Sequence, residues 1–208
     1  MIGIEGQNIY KYYGRQCVLE GLYFSFKSPE AIWIAGSNGR GKSTLLNILA
    51  GLTTPEKGRL CYTWNGNPLD VEDVRPMIAF CAPYQELPWW LTVEEIIRFQ
   101  GRLRPWTLGL KEGDIPELCQ LEGHRRKRVD QLSSGMRQRL RLILAWVSSC
   151  QALFLDEPCT HLDADGQRWY QSLYEQWGHD KLVVVCSNNT PAERGFCTKK
   201  LDLDQWKV

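Results

Sequence analysis

The sequence predicts an α/β fold, a mixed sheet flanked by helices on both faces with a helical segment inserted into it. Three observations carry this expectation. Short, continuous apolar runs at Ala31–Ala35, Met77–Ala82, Ala152–Leu155 and Leu182–Cys186 read as strands buried on both sides. Helix-period apolar stripes lie between them, the alternation expected of such a sheet. The segment 87–150 carries helical stripes and no clear strand, so it reads as a helical subdomain within one unit spanning 1–208.

Each element has a local reason. Residues 18–26 (VLEGLYFSF) alternate apolar and polar, as a half-buried strand does. Residues 43–50 follow a glycine-rich turn and read as a helix. Thr92 and Glu95 form the pair of a capping box, in which each side chain serves the other residue's backbone N–H. Behind it Val93, Ile96, Ile97, Gln100 and Leu103 share one helix face. Met136, Leu140, Ile143, Leu144 and Val147 mark a second stripe, and Tyr170, Leu173, Tyr174 and Trp177 a third.

Composition narrows the function classes. The chain has 208 residues, with 25 Lys+Arg against 24 Asp+Glu, so its formal charge is +1. A general electrostatic field for nucleic acid is therefore excluded. The basic run His124–Arg128 lacks interleaved aromatics and reads as a solvated turn. Mean hydropathy is -0.35. No run approaches the roughly 18 apolar residues of a membrane span. The start, MIGIEGQNIYKYYGRQ, lacks the basic-then-apolar order of a secretory signal. The 8 cysteines form no C-x-x-C pair and mostly sit in apolar runs, which fits a reduced cytosolic protein.

The sharpest motif is Gly36-Ser37-Asn38-Gly39-Arg40-Gly41-Lys42-Ser43-Thr44, which satisfies G-x-x-x-x-G-K-[ST] between a strand and a helix. Glycines let the backbone turn its N–H groups toward phosphate oxygens, and the helix N-terminus adds partial positive charge. Lys42 is placed for the β- and γ-phosphates, and Ser43 offers a hydroxyl to Mg²⁺. Downstream, the apolar run 152–155 ends in Asp156-Glu157-Pro158. Asp156 is expected to hold Mg²⁺, and Glu157 to orient and deprotonate an attacking water.

A third motif, Leu132-Ser133-Ser134-Gly135-Met136-Arg137-Gln138-Arg139, stands 24 positions before Asp156 (156 − 132). It looks like the L-S-G-G-Q signature of the ATP-binding cassette (ABC) ATPases, which the sequence resembles over nearly its whole length. The resemblance implies a phosphate-loop ATPase of the ABC type using ATP and Mg²⁺. It places Tyr13, in Lys11-Tyr12-Tyr13-Gly14, against adenine, and makes Gln85 the glutamine that senses Mg²⁺, with Glu86 as its rival. Thr160-His161-Leu162-Asp163 resembles the D-loop. Ser187-Asn188-Asn189 stands where the family has Thr-His-Asp, so Asn188 replaces the switch histidine. An amide can donate a hydrogen bond but cannot become a cation near neutral pH. Slower hydrolysis is the expectation.

The resemblance further implies two cassettes head to tail, each presenting its signature to ATP on the other. A homodimer is the simplest form. A separate multi-span permease would carry the substrate, placing the chain on the cytoplasmic face of a bacterial inner membrane. Trp89-Trp90 lies in the region that the resemblance places beside the permease groove, where the two aromatics would either form a contact patch or pack into the helical subdomain. The alternatives are a soluble ABC ATPase, for example of the iron–sulfur assembly type, and a low-turnover nucleotide-binding module.

Overall fold

The computed structural model describes residues 1–188 and 190–206. Its strands segregate into two sheets. β1 (Ile2–Tyr13), β2 (Gln16–Lys27), β4 (Lys57–Trp64) and β5 (Asn67–Leu69) form an antiparallel sheet in the order β2-β1-β4-β5. β3 (Ala31–Ala35), β6 (Ile78–Cys81), β7 (Ala152–Asp156), β8 (Leu182–Cys186) and β9 (Lys199–Asp202) form a parallel sheet in the order β6-β7-β8-β3-β9. Seven helices complete the described chain: α1 (Lys42–Leu49), α2 (Val71–Val74), α3 (Val93–Leu103), α4 (Ile115–Leu118), α5 (Ser134–Trp146), α6 (Ala164–Trp177) and α7 (Pro191–Arg194).

The apolar runs are continuous because each face of the parallel sheet meets its own core. Ile32, Ile34, Phe154, Val184 and Cys186 point toward α1 and the antiparallel sheet. Leu153, Leu155, Val183 and Val185, one position out of step, point toward α3, α5 and α6. Side-chain alternation thus splits each strand between two apolar layers. Burying a Leu, Ile or Val side chain contributes about 1.5–3 kcal/mol.

Between β6 and β7 lie α3, α4, α5 and two 3₁₀ turns, with no strand among the described residues. The capping box forms as expected. Thr92 Oγ1 accepts from the Glu95 N–H at 3.3 Å, and the Glu95 carboxylate accepts from the Thr92 N–H at 2.8 Å. On α3, Val93, Ile96 and Ile97 are buried, whereas Leu103 at the helix end is 67% exposed. The apolar face therefore stops short of the last turn. Among the described residues no helix is long and apolar enough to cross a membrane.

The topology gathers the chemistry at one edge. β7, β8 and β3 are neighbours, and their carboxyl ends carry Asp156, Ser187-Asn188 and the glycine-rich loop. That is the crevice where open α/β sheets bind ligands.

Candidate functional site

The loop between β3 and α1 is shaped by its glycines. Gly39 and Gly41 adopt φ of 80° and 86°, where other residues are strained. A Cβ on Gly41 would also stand 2.8 Å from Val18 Cγ1 and 3.0 Å from the Val18 carbonyl oxygen. α1 begins without a side-chain cap and without an acid in its first turn. Its amides and partial positive charge are left for a ligand. The Lys42 ammonium folds over the loop, donating to the Gly36 and Ser37 carbonyls at 2.7 and 3.1 Å. A cavity of about 560 Å³ opens here, lined by Tyr13, Gln16, Val18, Asn38, Gly39, Gly41, Lys42, Ser43, Thr44, Glu157 and Asn188.

Ser37 and Arg40 face elsewhere. The Ser37 N–H and hydroxyl both donate to the Asp204 carboxylate at 3.0 Å. Arg40 pairs with the same carboxylate at 3.0 Å and donates to the Leu203 and Trp206 carbonyls at 3.2 and 2.8 Å. The loop is thus strapped to the turn that follows β9.

Asp156 ends β7 and is 4% exposed. Burial pushes its carboxyl pKa up. The Ser43 hydrogen bond opposes this, the Glu157 charge adds to it, and Lys42 again opposes. Glu157 leaves the strand altogether. Its φ of 43° is left-handed, a costly conformation for a non-glycine residue that the packed surroundings must hold. The two acids therefore stand on different backbone, Asp156 at the strand end and Glu157 in the turn after it. Glu157 Oε1 accepts from Asn188 Nδ2 at 2.7 Å, and the Glu157 N–H donates to the Cys186 carbonyl at 2.9 Å. Asn189 lies outside the described residues. The Ser43 hydroxyl and Asp156 carboxylate are hard oxygen donors close enough for Ser43 to influence the Asp156 pKa, a pair of the type that Mg²⁺ prefers.

Tyr13 closes the β1–β2 hairpin, which turns at Gly14 (φ 60°), and its ring is 55% exposed at the cavity rim. Lys11 Nζ lies 5.5 Å from that ring's centroid. Gln85 does not line the cavity; its Oε1 accepts from the Ala82 N–H at 3.1 Å. Glu86 lines a different cavity of about 440 Å³, together with Trp89, Ser134, Arg137, Arg141 and His161. Tyr84 of the same segment is exposed and, like Gln85, is not among the residues that line the cavity. Burial raises its hydroxyl pKa, Asn47 lies within hydrogen-bonding reach, and Asp156 and Tyr13 are close enough to influence it. Asp204, which straps the phosphate loop, lies outside every motif in the sequence.

The signature lies apart from the phosphate loop of its own chain. Leu132 is buried, Ser133 and Ser134 are exposed, and Gly135 and Met136 are half-buried. Ser133 caps α5, its Oγ accepting from the Met136 N–H at 3.2 Å. A Cβ on Gly135 would stand 3.1 Å from the His161 carbonyl oxygen, so signature and D-loop pack closely. Asp163 caps α6 through Gly166 N–H at 2.7 Å and faces Arg139 at 3.5 Å.

Fold and loop together define a phosphate-loop nucleotide-binding protein of the α/β class. The family model described as ABC transporter matches residues 19–160, and the chain belongs to that family. A Nod factor export ATP-binding protein I of Rhizobium johnstonii is 33% identical over 202 residues, covering 95% of this chain and 65% of that protein. A sulfate/thiosulfate import ATP-binding protein of Rhizobium meliloti is 32% identical over 190 residues, covering 86% of this chain and 52% of that protein. The chain thus spans about half to two thirds of the length of these relatives. An ATP-binding cassette solved as a dimer in a post-hydrolysis state with ADP and Pi superposes with TM-score 0.80 at 22% identity, covering 96% of this chain and 93% of that one. That likeness is one of fold.

Proposed function

We propose that this chain is the ATP-binding and ATP-hydrolysing subunit of an ABC transporter, a single cassette with 87–150 as its helical subdomain. The observation that carries the proposal is the convergence of Lys42, Ser43, Asp156, Glu157 and Asn188 on one edge of the parallel sheet. The loop amides and Lys42 would hold the phosphates, and Tyr13 the adenine. Ser43 and Asp156 would hold Mg²⁺, which neutralises charge on the phosphate oxygens. Glu157 would accept the proton of the attacking water, and Asn188 would orient Glu157.

The second half of each site would come from another copy. Ser133 to Met136 stand on the surface, outside the cavity that holds Lys42. The dimeric relative supports this arrangement. A permease would be the membrane partner, placing the chain on the cytoplasmic face of the inner membrane. Trp89 and Trp90, 56% and 57% exposed and edge to face, offer it an aromatic contact. Both an export and an import protein are among the relatives, so neither direction is assigned.

Replacing Glu157 with Gln should lower turnover by about 10²–10⁴-fold, the usual contribution of a positioned general base. The same variant should elute as a dimer with MgATP and as a monomer without it. A variant that hydrolyses at the wild-type rate, or stays monomeric in saturating MgATP, would remove the basis of the proposal.

A low-turnover module is the second reading, and Asn188 favours it. Its amide occupies one oxygen of the proposed base and brings no positive charge. Asn188→His should hold or raise kcat in a steady-state ATPase assay. Abolished turnover in that variant would show that the switch lies elsewhere.

A further inference from the structure

Behind the Glu157–Asn188 contact lies a buried carboxylate that the mechanism above does not use. Glu193, on α7, is 3% exposed. Its Oε1 accepts from the Cys159 N–H at 2.9 Å, in the turn leading from Glu157 to Asp163. Its Oε2 accepts from the Ser187 hydroxyl, immediately before Asn188. Ser187 Oγ in turn accepts from the Thr190 N–H at 3.2 Å. The Glu193 backbone is also held, since the Tyr170 hydroxyl donates to its carbonyl at 3.3 Å. A buried carboxylate costs heavily unless donors satisfy it, so both ties are needed.

We propose that Glu193 is a positioning residue that joins the Cys159–Asp163 turn to the Ser187–Asn188 segment and so fixes the spacing of Glu157 and Asn188. The chemistry suits a carboxylate. One backbone N–H and one hydroxyl converge from opposite sides, and a carboxylate only accepts. A glutamine would present an amide N–H to Ser187 and leave the serine proton without its acceptor. Movement at the exposed turn, where a second copy would press on Asp163, would thereby reach Asn188 through one side chain. Gln138 adds a buried tie to the same turn, its Nε2 donating to the Pro158 carbonyl at 2.7 Å.

The inference rests on the ATPase assignment, and the test separates the two. Ser187→Ala cuts one arm and leaves the Cys159 bond in place. Glu193→Gln changes the carboxylate conservatively. Amide hydrogen exchange at Cys159 and steady-state kcat and KM for MgATP would be measured on both. Ser187→Ala should speed exchange at Cys159, which Ser187 does not touch, and lower kcat about tenfold while KM stays within about twofold, as expected for misplacement of catalytic groups. Glu193→Gln, which mismatches the same arm, should shift both readouts in the same direction as Ser187→Ala. Unchanged exchange at Cys159, or kcat equal to wild type in both variants, would overturn the tether. A wild-type chain without MgATP turnover would overturn the ATPase assignment alone, and exchange would still decide the tether.

Discussion

Two helices begin at anion-ready ends, and they begin differently. α1 starts at Gly41, left-handed and uncapped, with Lys42, Ser43 and Thr44 lining a cavity in their own chain. α5 starts at Ser133, whose hydroxyl already occupies the Met136 N–H, on an exposed surface. Neither carries an acid in its first turn, so both keep their partial positive charge. The uncapped end suits a phosphate. The capped end keeps its charge on an exposed surface. If both serve nucleotide, as proposed, one chain presents most of one site and a fragment of another, a division that a head-to-tail pair would resolve.

The comparison breaks most visibly at Lys42. Its ammonium is 7% exposed and its bonds go to loop carbonyls. Lys42→Ala should weaken ATP binding about 10–100-fold, the range for losing charge-assisted hydrogen bonds of about 1.5–3 kcal/mol. Equilibrium titration with a fluorescent ATP analogue would read this, and unchanged affinity would dissociate the cavity from nucleotide. A smaller effect is expected at the strap. Asp204→Ala releases Ser37 and leaves Arg40 only its backbone acceptors on Leu203 and Trp206, so the nucleotide must supply more of the loop's order. KM for MgATP should rise about 3–10-fold with kcat nearly constant, a loss of binding shared by ground and transition states. A fall in kcat at constant KM would mean that the strap serves the chemical step instead.

The residues legible in the sequence share a property: each motif is contiguous. The phosphate loop, Asp156-Glu157 and the signature are runs whose spacing is set by local backbone geometry. The strands 31–35, 152–155 and 182–186 were legible because burial on both faces makes them uniformly apolar. β1 was not. Its register shifts between Gly6 and Ile9, and Asn8 sits at a φ of 55°, so its apolar residues lose their two-residue period. β4 opens on Lys57-Gly58-Arg59, and β9 is a short edge strand opening on exposed Lys199 and Lys200. Asp204 and Glu193 left no signal because each joins segments distant in the chain, Asp204 to Ser37 167 residues away and Glu193 to Cys159 34 residues away. That Gln85 folds back on the Ala82 N–H instead of lining the cavity depends on how the segment after β6 turns, which residue type alone does not set.

The smallest expected effect sharpens the comparison most. Ser133→Ala removes the cap of α5 and should cost about 0.5–2 kcal/mol of stability. For a chain of this size, each kcal/mol corresponds to a fall of about 2–4 °C in Tm. The helix itself stays anchored, because Leu140, Leu142, Ile143 and Trp146 are fully buried in the core. If Ser133 only caps, ATP-driven pairing measured on the Glu157→Gln background will survive the substitution once the lower Tm is allowed for. If its hydroxyl also meets phosphate on a second copy, pairing will need several-fold more ATP while nucleotide affinity of the monomer stays the same. Only the second outcome keeps the two helix ends as parts of one composite site.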